Sequence, residues 1–130
     1  MILIDTTVWI DFFAGKPCSH VEKLQNLIQQ RMSLCCCGVI LTEVLQGISN
    51  EKSYSRTKEN LSVFRYLSMS QSTFIDAANI YRVLRKSGIT IRKPIDCMIA
   101  SVCMEHGVKL LHNDKDFSNI AKIFPLKFLS

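Results

Sequence analysis

The sequence predicts an α/β fold in which α-helices flank a central parallel β-sheet. Two observations carry this. Short apolar runs at Met1–Ile4, Leu34–Cys37 and Val108–Leu111 have the length and composition of buried strands. Segments with apolar residues at helical spacing separate them, the alternation that builds a parallel sheet. The length of 130 residues points to one domain, 1–130. Such a chain buries a core without a disulfide or metal staple.

The elements follow in order. Met1–Ile4 ends at Asp5, and Thr6 or Thr7 caps a short helix through Val8, Trp9, Ile10, Phe12 and Phe13. Gly15, Lys16 and Pro17 break it. Val21, Leu24, Leu27 and Ile28 mark a second helix from about Ser19. Gly38 leads from the second strand into a helix carrying Ile40, Leu41, Val44, Leu45 and Ile48. A polar stretch at Asn50–Ser55 precedes another helix ending near Tyr66. Ser72–Lys86 reads as an amphipathic helix stopped by Gly88. Pro94 starts a helix that Gly107 ends, the usual asymmetry of those two residues. After Val108–Leu111, Asn113–Phe117 turns into a short helix, and Phe124–Leu129 reads as a last strand.

Composition excludes several classes. With 48% hydrophobic and 21% charged residues, the chain is neither disordered nor fibrous. The apolar run Leu34–Leu41 is far short of the roughly 20 residues a bilayer helix needs, so no membrane association is expected. Asp5 and Asp11 interrupt the apolar start and no basic residue precedes it, which predicts no signal peptide and a cytoplasmic location. The six cysteines, three of them consecutive, are then expected to be reduced, buried hydrophobes. Cys103 and His106 have one zinc-like spacing, but no second pair completes it.

The acids carry the chemistry. Asp5 ends the first strand and Asp114 follows the third, where ligands of open α/β sheets gather. Asp96 shares a helical face with Ile99, Ala100 and Cys103, so it points inward, where an ionised carboxylate needs a partner. Glu43 lies in an otherwise uncharged stretch from Val39 to Leu45. Each has an ordinary alternative: Asp5 as a helix cap, Asp96 as a first-turn acid, Glu43 as a surface acid, Asp114 as a turn residue. Their joint placement favours convergence. Clustered carboxylates repel and raise one another's pKa, a penalty that a divalent cation removes. Hard oxygen donors suit Mg²⁺ or Mn²⁺ better than zinc. Such an ion orients a phosphodiester and stabilises its developing charge.

The net charge of +5 suits a polyanionic partner. Arg82, Arg85, Lys86, Arg92 and Lys93 lead into Asp96 with no acid between them. They read either as a solvated helix face or as a phosphate-binding rim for RNA.

The chain resembles PIN-domain ribonucleases of the VapC toxin type. The matching pieces are Ile4–Asp11, Thr42–Gly47, Pro94–Ala100 and Leu110–Phe117, in family order across nearly the whole chain. The resemblance implies a PIN-like fold and Mg²⁺- or Mn²⁺-dependent endonucleolytic cleavage of RNA. It implies a catalytic quartet of Asp5, Glu43, Asp96 and Asp114. Asp5, Asp96 and Asp114 would hold the metal, and Glu43 would complete its shell or orient water. Thr7 matches a supporting polar position and Asp116 a second aspartate. Arg85, Lys86, Arg92 and Lys93 would contact RNA. His112 departs from the family, which has Thr or Ser there. The resemblance further implies a homodimer and a cognate VapB-type antitoxin that fills the acidic groove. The sequence is also compatible with two rival readings. A catalytically inactive RNA- or protein-binding domain is one. A phosphoaspartyl hydrolase is the other, but it lacks its second acid because Thr7 stands there.

Overall fold

Apolar runs too short for a period-2 pattern become strands here because both of their faces are covered. The computed structural model describes residues 1–129. Along the chain these form β1 (Ile2–Ile4), α1 (Thr6–Phe13), α2 (Ser19–Gln29), β2 (Leu34–Cys37), α3 (Gly38–Gln46) and α4 (Glu51–Ser62). There follow β3 (Arg65–Leu67), α5 (Gln71–Lys86), α6 (Ile95–His106), β4 (Lys109–Leu111) and α7 (Lys115–Ala121). The four strands make one parallel sheet in the order β3-β2-β1-β4. Ile4 pairs with Leu111, so the carboxyl ends of β1 and β4 lie side by side. The Asp5 amide extends that ladder to the Leu111 carbonyl at 2.9 Å.

The core runs along both faces of the sheet. Leu3, Ile4, Cys35 and Cys37 are buried in it with Val8, Trp9, Leu24, Ile40, Leu84, Ile99 and Leu110. α6 is buried over most of its circumference, from Asp96 to Cys103, so it is a central helix rather than a surface one. It packs on α5, where Ser101 Oγ donates to the Thr73 carbonyl at 2.7 Å. Gly107 ends α6 in the left-handed conformation, at φ 65°, which glycine adopts without a Cβ clash. Cys35, Cys36, Cys37, Cys97 and Cys103 are buried, and no disulfide occurs among the described residues. No helix there is long and apolar enough to cross a membrane.

Three details differ from the sequence reading. The polar Asn50–Ser55 stretch is the first turn of α4, because the Asn50 side chain caps it by accepting from the Ser53 amide at 2.9 Å. The helix expected to reach Tyr66 stops at Ser62, and Arg65–Leu67 joins the sheet edge as β3. Phe124–Leu129 forms only a single bridge, Phe128 to Leu110, and the Val108 amide that would extend it donates instead to the Cys103 carbonyl at 3.0 Å.

Candidate active site

The acidic residues arrive from the strand ends and two helix starts. Asp5 is the N-cap of α1, and its Oδ2 accepts from the Thr7 amide at 3.2 Å and from the Thr7 hydroxyl at 2.6 Å. The capping role and the pocket role therefore coexist. Asp114 is the N-cap of α7, with Oδ1 accepting from the Asp116 amide at 2.9 Å. Asp96 lies in the first turn of α6 and caps nothing. Its Oδ2 is buried and finds no hydrogen-bond partner among the described residues.

Asp96, Asp114 and Asp116 each bring a carboxylate oxygen within 4.8 Å of the other two. Asp5 adjoins this trio: its charge acts on Asp96 and on Lys93. Glu43 stands at one remove. Its Oε1 accepts from Thr6 Oγ1 at 2.8 Å, which ties it to the residue after Asp5. Thr6 is the site residue that sequence reading passed over, and the paired threonines after Asp5 were its only signal.

The electrostatics follow from burial and crowding. Asp96 is pushed up to about 8, first by loss of water and then by the charges of Asp5 and Asp114. Burial also raises Asp5, against the opposing Thr7 hydrogen bonds. At Asp114 burial is outweighed by the Lys93 hydrogen bond, the Asp116 amide and the nearby cations, so its carboxyl titrates below the usual range. Lys93 Nζ lies 2.8 Å from Asp114 Oδ2, and that bond raises the lysine in turn. The Lys93 amide donates to Asp116 Oδ2 at 3.1 Å.

A cleft of about 990 Å³ opens at Asp114 and Asp116, lined also by Thr7, Arg92, Lys93 and His112; Asp5, Asp96 and Glu43 are not among its lining residues. Arg92 reaches Asp114 at 3.9 Å and Asp116 at 4.0 Å from an exposed position. Arg85 and Lys86 do not line the cleft, and the Arg85 guanidinium lies over the Tyr81 ring at 5.6 Å. His112 sits against Phe117 and Phe128, and its Nδ1 accepts from the Asp114 amide at 3.1 Å. That bond leaves the ring proton on Nε2, and burial lowers the imidazole below its ordinary pKa. Packing and support of the Asp114 turn thus account for the residue at this position.

The donor set fits a hard divalent cation. All candidate ligand atoms are carboxylate oxygens, and Asp96 has one oxygen, Oδ2, that is buried without a proton donor. A cation there offsets both the repulsion and the orphaned oxygen.

Comparison with known proteins identifies the family and the fold. The PIN domain family profile matches residues 2–123. VapC ribonuclease Mb1587 of Mycobacterium bovis is 33% identical over 132 aligned positions, covering 100% of this chain and 98% of its own. Ribonuclease VapC11 of Mycobacterium tuberculosis matches with the same identity and coverage. Among solved structures, VapBC2 from Rickettsia felis, bound to a promoter DNA fragment, superposes with a TM-score of 0.75 at 21% identity. That match covers 99% of this chain and 98% of the other. VapBC-1 from nontypeable Haemophilus influenzae gives 0.74 at 22% identity, covering 100% and 98%. These two show a shared fold.

Proposed function

Because this chain belongs to the PIN-domain family, we propose that it is a VapC-type endoribonuclease, the toxin of a type II toxin–antitoxin pair. It would hydrolyse RNA phosphodiester bonds with Mg²⁺ or Mn²⁺. The observation that supports this best is the convergence of Asp96, Asp114 and Asp116, of which Asp96 also carries a buried carboxylate oxygen that has no partner. Asp5, Asp96 and Asp114 hold the ion in this reading, with Asp116 alongside. A bound divalent cation supplies the positive charge that stabilises charge developing on the scissile phosphate.

The remaining steps belong to the chain's own groups. Thr7 fixes the Asp5 carboxylate through two hydrogen bonds. Thr6 holds Glu43, which orients the attacking water and accepts its proton. Arg92 and Lys93 on the cleft rim hold the RNA backbone, and Arg85 and Lys86 act as RNA contacts outside the cleft. On this reading residues 1–130 act as one PIN domain, as a homodimer in the cytoplasm. A VapB-type antitoxin presents a cation to the acidic cleft and blocks it.

Total RNA incubated with the purified protein tests the proposal. Cleavage is expected with Mn²⁺, is abolished by EDTA, and falls at least about 100-fold in Asp96→Asn. Circular dichroism of the variant reports whether the fold survives. Wild-type protein that binds no Mn²⁺ and cuts no RNA would instead be a binding domain.

A further inference from the structure

A second cluster of ligating side chains lies away from the acidic cleft. Asp11 is in the last turn of α1, Cys18 is the N-cap of α2, and His20 follows in the first turn of α2. His20 Nε2 is 2.6 Å from Asp11 Oδ2 and 3.2 Å from Cys18 Sγ. One ligand atom from each residue lies within 4.8 Å of the other two. Asp11 is six residues beyond Asp5, roughly 9 Å along the helix, so this is a separate place.

The hydrogen bonding of the trio is over-subscribed. Both Asp11 and Cys18 converge on the same ring nitrogen, which offers one proton or one lone pair. The thiol's other neighbour, the Lys16 carbonyl, is 3.7 Å away, a long contact that fixes it weakly. A cation among the three would satisfy the sulfur, the nitrogen and the oxygen together. The spacings already approach those needed. Ligand atoms around a tetrahedral zinc stand about 3.3–3.6 Å apart, so small side-chain rotations suffice. All three residues are half-buried, open enough for an ion to enter.

We propose that Asp11, Cys18 and His20 bind a single divalent transition-metal ion of the Zn²⁺ type, which ties the end of α1 to the start of α2. The mixed sulfur, nitrogen and oxygen set selects such an ion over Mg²⁺. Three protein ligands leave a fourth position for water or an incoming group. The Gly15–Lys16–Pro17 turn brings the two helices together, and Gly15 takes a left-handed φ of 71° to do so. The cysteine differs from the other five, which are all buried.

Cobalt provides the probe. Titrating Co²⁺ into the purified protein should produce sulfur-to-metal charge-transfer absorption and tetrahedral d–d bands that saturate at one ion per chain. Zn²⁺ should bleach them. Cys18→Ser should remove the charge-transfer band, and His20→Ala should weaken cobalt binding at least about tenfold. Repeating the titration in Asp96→Asn should leave the bands intact, since ions in the acidic cleft do not produce them. Zn²⁺ should raise the melting temperature of the wild type but not of His20→Ala. No charge-transfer band in the wild type, or a band that survives Cys18→Ser, would overturn the proposal.

Discussion

Lys93 Nζ lies 2.8 Å from Asp114 Oδ2, and the same residue's backbone amide donates to Asp116 at 3.1 Å. One residue thus brings a cation and a hydrogen-bond donor to two of the three clustered acids. The lysine is half exposed, so its ion pair is of surface strength.

Replacing Lys93 with Met should therefore act in two directions. Removing the competing ammonium should tighten Mn²⁺ binding roughly two- to fivefold, the range of a partly exposed pair. RNA affinity should fall, because a phosphate contact is lost. Calorimetric Mn²⁺ titration and RNA binding at several salt concentrations measure the two effects separately. Asp114, no longer held down by the ammonium, should titrate at higher pH in a carboxyl-detected NMR experiment.

The buried Asp96 carboxyl should cost the metal-free protein stability as pH rises from about 4 to about 8. The Asp96 carboxyl has an ordinary value of 3.8 and is pushed up to about 8 by burial in the fold. Within that window the folded state keeps a proton that the unfolded chain has released, so alkalinity favours unfolding. Asp5 is shifted the same way. Asp114 is shifted down, so the stability it contributes is lost only on acidification below 3.8, outside this window. His112 is lowered below its ordinary 6.5 by burial, so it opposes this trend at lower pH. Melting temperatures in EDTA should therefore decline from about pH 6.5 to pH 8, and Asp96→Asn should flatten the decline. Saturating Mn²⁺ should reverse the trend.

Thr6→Val should cost about 1 kcal/mol of stability and reduce cleavage. The lost hydroxyl leaves Glu43 half-buried without its donor. Because Thr6 acts through Glu43, a double-mutant cycle with Glu43→Gln should show strong coupling in both unfolding and kcat. Additive losses would mean that the 2.8 Å bond carries no function.

Gly107→Ala should destabilise the protein by about 1 kcal/mol while leaving RNA cleavage unchanged. The position has φ 65°, and an added Cβ meets nothing within 4 Å, so the cost is purely conformational. Chemical denaturation with an unchanged m-value measures it.

Much of this was legible from the sequence, for identifiable reasons. Asp5, Asp96 and Asp114 stand out because each interrupts an apolar pattern or ends an apolar run. β3 was hidden, because three residues are too few for alternation and an edge strand can expose Arg65 and Tyr66. The bond from Thr6 to Glu43 spans separate elements, and no local pattern announces it. Arg92 and Lys93 were legible as basic residues, but their pairing with Asp114 and Asp116 depends on how α6 approaches α7. The Asp11–Cys18–His20 group lay across a helix break, with no spacing typical of metal motifs.

The pairing of Ile4 with Leu111 also bears on synthesis at the ribosome. The first strand emerges early, yet its neighbour on one side is made roughly a hundred residues later, which is slow, long-range closure. A nascent chain therefore cannot assemble the carboxylate cluster until β4 and the start of α7 have been made. An enzyme that attacks RNA would stay harmless to the messenger and ribosome producing it until those segments have emerged and docked beside β1.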